Sequence, residues 1–192
     1  MAGHFFLNTG PKIPAVGLGT WQANPPVFGN PFYPAVKAGY RHFNCAQPYN
    51  NKKKVELGLK KPLNKGIFNL EDLFFTSNLW NTNHAPKNFP FALDGTLKPL
   101  QTDYLNLYLF HWPVTIKKGP GYGPQSIIPS NIPATWAAMK NLYNPGKARP
   151  IGFTNFSSKN LANLLAVARV PPAVNQLKCH PVWQQAKLRA FC

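Results

Sequence analysis

The run Tyr104-Leu105-Asn106-Leu107-Tyr108-Leu109-Phe110-His111 is apolar at most positions and ends in a histidine. A strand with one wet face alternates apolar and polar residues. A run without that alternation suits a strand buried on both faces, as in parallel sheets covered by helices. Five further short runs share the character: Gly17–Trp21, His42–Ala46, Leu73–Leu79, Ala148–Phe153 and Ala173–Cys179. Between them lie segments of helical length near residues 31–39, 51–63, 86–101, 133–145 and 158–168, with another beginning at Gln184. Gly39 and Gly146 stand where helices should stop. Strand and helix alternating at roughly 30 residues predict parallel strands joined by crossovers. Ahead of them, His4–Leu7 and Ile13–Val16 flank Asn8-Thr9-Gly10-Pro11, which predicts an opening hairpin.

Two architectures fit such alternation, an open doubly wound sheet and a closed barrel. The open sheet calls for a GxGxxG turn after its first strand, but Gly17-Leu18-Gly19-Thr20-Trp21 runs on into Gln22-Ala23-Asn24. Polar or aromatic residues instead close almost every strand: Thr20 and Trp21, Asn44, Ser77 and Asn78, His111, Thr154 and Asn155, and Gln176. Strand C-termini converge on one mouth in a (β/α)₈ barrel, so that architecture explains more. Six strands do not close an eight-stranded barrel, whose domains run from about 200 to more than 400 residues. The expectation is one partial (β/α)₈ barrel domain over residues 1–192, carrying an N-terminal hairpin and belonging to a longer chain.

The composition agrees with a folded domain: 44% of the residues are hydrophobic and 14% aromatic. No secretory leader and no apolar stretch of membrane-spanning length is visible, so a cytoplasmic protein is expected. Cys45, Cys179 and Cys192 lack metal-ligand or redox spacing and read as reduced thiols; no metal site is expected. The charge is unusual, with 21 Lys and Arg against Glu56, Glu71, Asp72, Asp94 and Asp103, a formal +16. Such a balance can mark a polyanion binder. Here the longest basic run is Lys52-Lys53-Lys54 and no nucleic-acid motif appears, so neither nucleic acid nor membrane is expected as a partner.

With these segments in place, the chain resembles the aldo-keto reductases, especially those of plants. The resemblance rests on LNTG (7–10), KIP (12–14), VGLGTWQA (16–23), AGYRHFNCAQPY (38–49), LFFTSNLW (73–80), LYLFHWP (107–113), GKARPIGFTNFS (146–157) and PPAVNQLKCHPVW (171–183). It implies an oxidoreductase that reduces small aldehydes and ketones with NADPH, a monomer expected. It makes Tyr49 the proton donor and His111 the residue orienting the carbonyl. Thr154, Asn155 and Gln176 would hold the nicotinamide carboxamide, with Gly19 and Thr20 on the cofactor side and Trp21, Trp80 and Trp112 walling the substrate. Outside that context, Tyr49 reads as a rim tyrosine and His111 as a satisfied buried histidine. The pyrophosphate and 2′-phosphate sites would come from two further strands.

Two expected catalytic positions depart from the resemblance. Asn44 stands for an aspartate and Asn78 for a lysine. A tyrosine hydroxyl titrates near 10, and bringing it to about 7 takes about 4 kcal/mol of preferential phenolate stabilisation, which an amide does not supply. An alternative is therefore an inactive barrel of the same ancestry that serves as a binding, storage or inhibitory protein. Other features are odd too: acids are scarce, and Pro62, Pro90 and Pro99 fall inside helix-period segments, where each interior proline costs about 3 kcal/mol. A misassigned Asp and Lys would account for the pair. Peptide mass spectrometry across both positions decides, and masses matching Asn44 and Asn78 exclude misassignment.

Overall fold

The computed structural model describes residues 3–21, 32–46, 56, 59, 66, 68–119, 123–143 and 146–192. Its centre is a six-stranded parallel sheet in which spatial order follows chain order: β3 (Leu18–Gly19), β4 (His42–Asn44), β5 (Phe74–Leu79), β6 (Leu107–Phe110), β9 (Ile151–Thr154) and β10 (Asn175–Gln176). These are six strands of a (β/α)₈ barrel, each within the run predicted for it except β9, which extends one residue further to Thr154. The ladders are shorter than the runs, notably β3 and β10 at the sheet edges, because each of those pairs on one side only.

Helices alternate with the strands: α1 (Phe32–Lys37), α2 (Phe89–Leu100), α3 (Ile132–Tyr143), α4 (Ser158–Leu165) and α5 (Ala186–Phe191). The glycine stops operate as read. Gly39 adopts φ 95°, its N–H bonds to the Val36 carbonyl and the Tyr40 N–H to that of Ala35, closing α1 in the paired pattern that a left-handed residue allows. At α4 the Ser157 hydroxyl accepts the Asn160 N–H at 3.2 Å. The predicted helix over 51–63 and Pro62 lie almost entirely outside the described residues. The proline argument is partly corrected. Pro90 occupies the first turn of α2, where its missing N–H costs nothing, whereas Pro99 does lie within the last turn. Gln101 then ends the helix at φ 56°.

Every residue of β5, β6 and β9 is buried, as unalternating runs require. The side chains nevertheless divide by parity. Phe75, Leu79, Tyr108, Phe110, Ile151 and Phe153 enter the large cluster shared with the helices. Phe74, Leu107 and Leu109 form a separate small cluster with Ile13 and Val174. The first set points outward and the second fills the barrel interior. Ile13 belongs to the opening hairpin, β1 (His4–Phe6) paired antiparallel with β2 (Lys12–Pro14), which plugs the N-terminal end. The His42 ring joins hairpin to sheet, with Nε2 2.8 Å from the Thr76 hydroxyl and Nδ1 facing the Pro14 carbonyl.

One element was not anticipated. The stretch from 114 to 131 reads as a loop, yet β7 (Thr115–Ile116) and β8 (Ile127–Ile128) pair within it as a short antiparallel ribbon. Four β-branched residues make up that ribbon, a local preference overshadowed by the surrounding Gly and Pro.

Interior packing makes Gly152 a sensitive position. A Cβ there would collide with the Val174 carbonyl and come within 2.9 Å of the Leu109 side chain. Gly152→Ala is expected to lower stability by about 1–3 kcal/mol, read as a lower urea midpoint at unchanged slope. An unchanged midpoint would show that β9 and β10 do not approach as closely as described.

Candidate active site

Inward parity along each strand leads to the C-terminal end of the sheet. Gly19 of β3, Asn44 of β4, Asn78 of β5, His111 just after β6, Thr154 of β9 and Gln176 of β10 line one cavity of about 780 Å³. Trp21, Trp80, Trp112, Asn155, Leu177 and Lys178 complete its lining. The volume suits a small ligand and one flat ring, and the walls are mainly aromatic with a few convergent polar groups. Ten of the twelve residues singled out in the sequence therefore meet at one place. Thr20 does not: it is buried beside the cavity, its hydroxyl and N–H both donating to the Asn44 carbonyl at 3.0 and 3.1 Å. Its part there is to hold the ends of β3 and β4 together. Tyr49 lies outside the described residues.

His111 is fixed from several directions. Its N–H donates to the Leu79 carbonyl at 3.2 Å. Its own carbonyl accepts the Thr154 hydroxyl and, at 3.0 Å, the Asn155 side-chain amide. The Trp80 ring meets it edge-on at 5.2 Å, and Trp112 stacks at 6.5 Å. Burial pushes its pKa down to about 4, so near neutral pH the ring is uncharged and retains one N–H to donate. Asn155 reaches the mouth through a left-handed backbone, φ 62°, which Asn tolerates better than most residues. Its N–H donates to the Gln176 carbonyl at 2.9 Å.

Asn44 and Asn78 differ from these tied residues. The Oδ1 atoms of both are buried and have no hydrogen-bond partner among the described residues. Asn78 is 2% exposed, so its carbonyl forgoes water without protein compensation, normally a cost of about 1–3 kcal/mol.

Sequence reading missed two neighbours. His84, 3% exposed, packs its ring 4.2 Å from that of Phe110, and its Nδ1 lies 3.1 Å from the Thr115 hydroxyl, which in turn accepts from Ser130 at 2.8 Å. This chain ties both ends of the β7–β8 segment beside His111. Burial, then the charge on His111, pushes the His84 pKa down to about 4. Lys178 was also passed over, although it stands only two residues past Gln176; it lies beyond β10 and lines the cavity together with Leu177.

The chain is similar to known proteins in sequence and in fold. A family model described as Aldo/keto reductase family matches residues 15–192. Aldo-keto reductase family 4 member C11 of Arabidopsis thaliana is 53% identical over 191 residues, covering 99% of this chain and 61% of that protein. Aldo/keto reductase slr0942 of Synechocystis is 41% identical, covering 98% of this chain and 59% of its own length. The chain thus spans about three fifths of the curated relatives it matches. The solved aldose reductase of Schistosoma japonicum superposes with a TM-score of 0.91 at 34% identity, over 98% of this chain and 65% of that one. Among the described residues no helix is long and apolar enough to cross a membrane.

Both buried imidazoles are expected to stay neutral as pH falls below the free value of 6.5 and to protonate only near 4. The unfolded chain binds these protons first, so the two histidines make stability fall as pH drops from about 6.5 toward 4, with no effect above. Imidazole NMR titration reads this directly, and a His111 midpoint near 6.5 contradicts the burial described.

Proposed function

Because the chain belongs to the aldo/keto reductase family, we propose that it is part of an oxidoreductase that reduces small aldehydes or ketones with a reduced nicotinamide dinucleotide, NADPH by preference. The observation that carries the reading is the convergence of His111, Asn155 and Gln176 on one aromatic-walled cavity. The finer expectations, residues 1–192 as one partial domain and a cytoplasmic monomer, belong to the same proposal.

The residues fit the amide-bearing end of a nicotinamide. The Gln176 side chain makes no hydrogen bond among the described residues, and Asn155, whose amide nitrogen is engaged by the His111 carbonyl, presents its oxygen separately. Together they supply a donor and an acceptor for a carboxamide. Thr154 uses its hydroxyl on the Phe110 and His111 carbonyls, and so fixes the floor on which the ring would rest. Trp21, Trp80 and Trp112 would exclude water from the substrate side. When bound, the reduced nicotinamide supplies a hydride equivalent to the carbonyl carbon.

In this reading the neutral His111 ring donates its N–H to the carbonyl oxygen and fixes its orientation, and the Tyr49 hydroxyl proton passes to that oxygen as it becomes an alcohol. Asn44 and Asn78 leave that hydroxyl without the ammonium that would acidify it, so slow proton transfer is expected, though still turnover. The inactive-barrel reading rests on this pair alone.

The test is NADPH oxidation by the full-length protein with a reactive aromatic aldehyde. Slow turnover is expected, with Asn44→Asp/Asn78→Lys raising kcat by about 10²–10⁴. His111→Ala is expected to lower kcat/KM in both backgrounds. Absence of turnover in the parent and in the restored variant, both binding NADPH, would defeat the enzyme reading and favour a binding protein.

A further inference from the structure

The charge around the cavity is lopsided. Lys178 is the only side chain lining it that carries a full charge among the described residues, since burial keeps the His111 ring neutral. None of the five acidic residues lines it. Glu71 and Asp72 lie in the turn before β5 and Asp103 lies before β6, all at the opposite end of the parallel sheet. Asp94 sits outside on α2, paired with Lys147 at 3.5 Å. Glu56 is exposed. Asn44 and Asn78 contribute dipoles but no charge, so nothing in the wall neutralises Lys178.

The backbone at Lys178 is also held. Its carbonyl accepts the Gln185 side-chain amide at 3.2 Å, and Gln185 adopts φ 55° at the start of α5. Two residues back, Gln176 is in the ladder with Thr154. The Lys178 side chain therefore leaves a tethered backbone two residues beyond β10 and contributes to the lining of a cavity with low-dielectric aromatic walls. Such walls focus a single charge toward the opening and raise the local concentration of counter-ions.

We propose that Lys178 is a specificity-determining residue that selects carbonyl substrates carrying a carboxylate, receiving that oxyanion at the rim while the carbonyl points inward to His111. The proposal rests on the reductase reading for its substrate class. The ammonium is exposed, so its effect is modest: pairing at such a position corresponds to a preference of about three- to fivefold. An oxyanion at this rim could equally come from a cofactor phosphate, and the test separates the two sources.

Calorimetric titration of the full-length protein with para-formylbenzoate and with its uncharged methyl ester measures the preference without turnover. The carboxylate is expected to bind about three- to fivefold tighter than the ester at low salt, the gap closing near 1 M salt, where the screening length is about 3 Å. Lys178→Gln should abolish the preference and Lys178→Arg retain it, while Lys187→Gln on α5 leaves it in place. Equal binding of acid and ester by the parent protein, or a preference that survives Lys178→Gln, overturns the proposal. So does a Lys178→Gln variant that loses affinity for NADPH but not for the carboxylate, which would give the ammonium to a cofactor phosphate. Turnover of the two aldehydes is read separately. Turnover without a binding preference removes this proposal and leaves the reductase reading, and a preference without turnover does the reverse.

Discussion

Burial of both faces of a parallel sheet is the constraint on which the rest of this structure depends. Each strand must supply an outward row for the helices and an inward row for the barrel, and the two rows alternate residue by residue. On β6 this sends Tyr108 and Phe110 out and Leu107 and Leu109 in. The inward row cannot stay apolar to its end, because beyond the last interior layer it meets open space. There the parity delivers Asn44, Asn78, His111, Thr154 and Gln176 to the same rim. The site is thus what remains of the interior row where packing stops.

That relation explains what could be read from the sequence. The strands were legible because an unalternating apolar run has few other uses, and the rim residues because each is the polar end of such a run. Thr20 stands at a polar end too, but its parity differs by one from that of Gly19, so it turns into the layer outside the barrel and bonds to the Asn44 carbonyl. Asn155 also has the wrong parity and lines the cavity only by taking a left-handed backbone, which composition does not announce. Lys178 stands just past the end of β10, beyond the reach of strand parity, and a lysine in a chain with 21 Lys and Arg attracts no notice. The ribbon of β7 and β8 was hidden by the glycines and prolines around it, and His84 by its distance in sequence from Thr115 and His111.

The mouth also has to manage charge without water. A buried ion pair attracts strongly but gives up two hydration shells, and the two effects are of similar size. Asn44 and Asn78 avoid the desolvation of charged groups and lose the attraction with it. What they retain is smaller: two buried amide carbonyls without partners among the described residues. Such groups destabilise the empty site and favour any ligand that donates to them, so binding and stability are coupled at this pair. Chemistry that needs an acidified hydroxyl gains nothing from that coupling.

His84 and His111 follow from the same restriction. Each ring is buried, a second charge beside a charged one would be worse still, and both are held neutral well below the usual histidine range. A neutral His111 ring adds no net charge to the cavity wall and keeps one N–H. With no acid among the lining residues and the histidines silent, the potential at the rim is set by whatever charge is left there. In this chain that is the ammonium of Lys178, an exposed residue just beyond β10. The charge that a ligand meets first is thus set just past the end of a strand, where the alternation no longer governs.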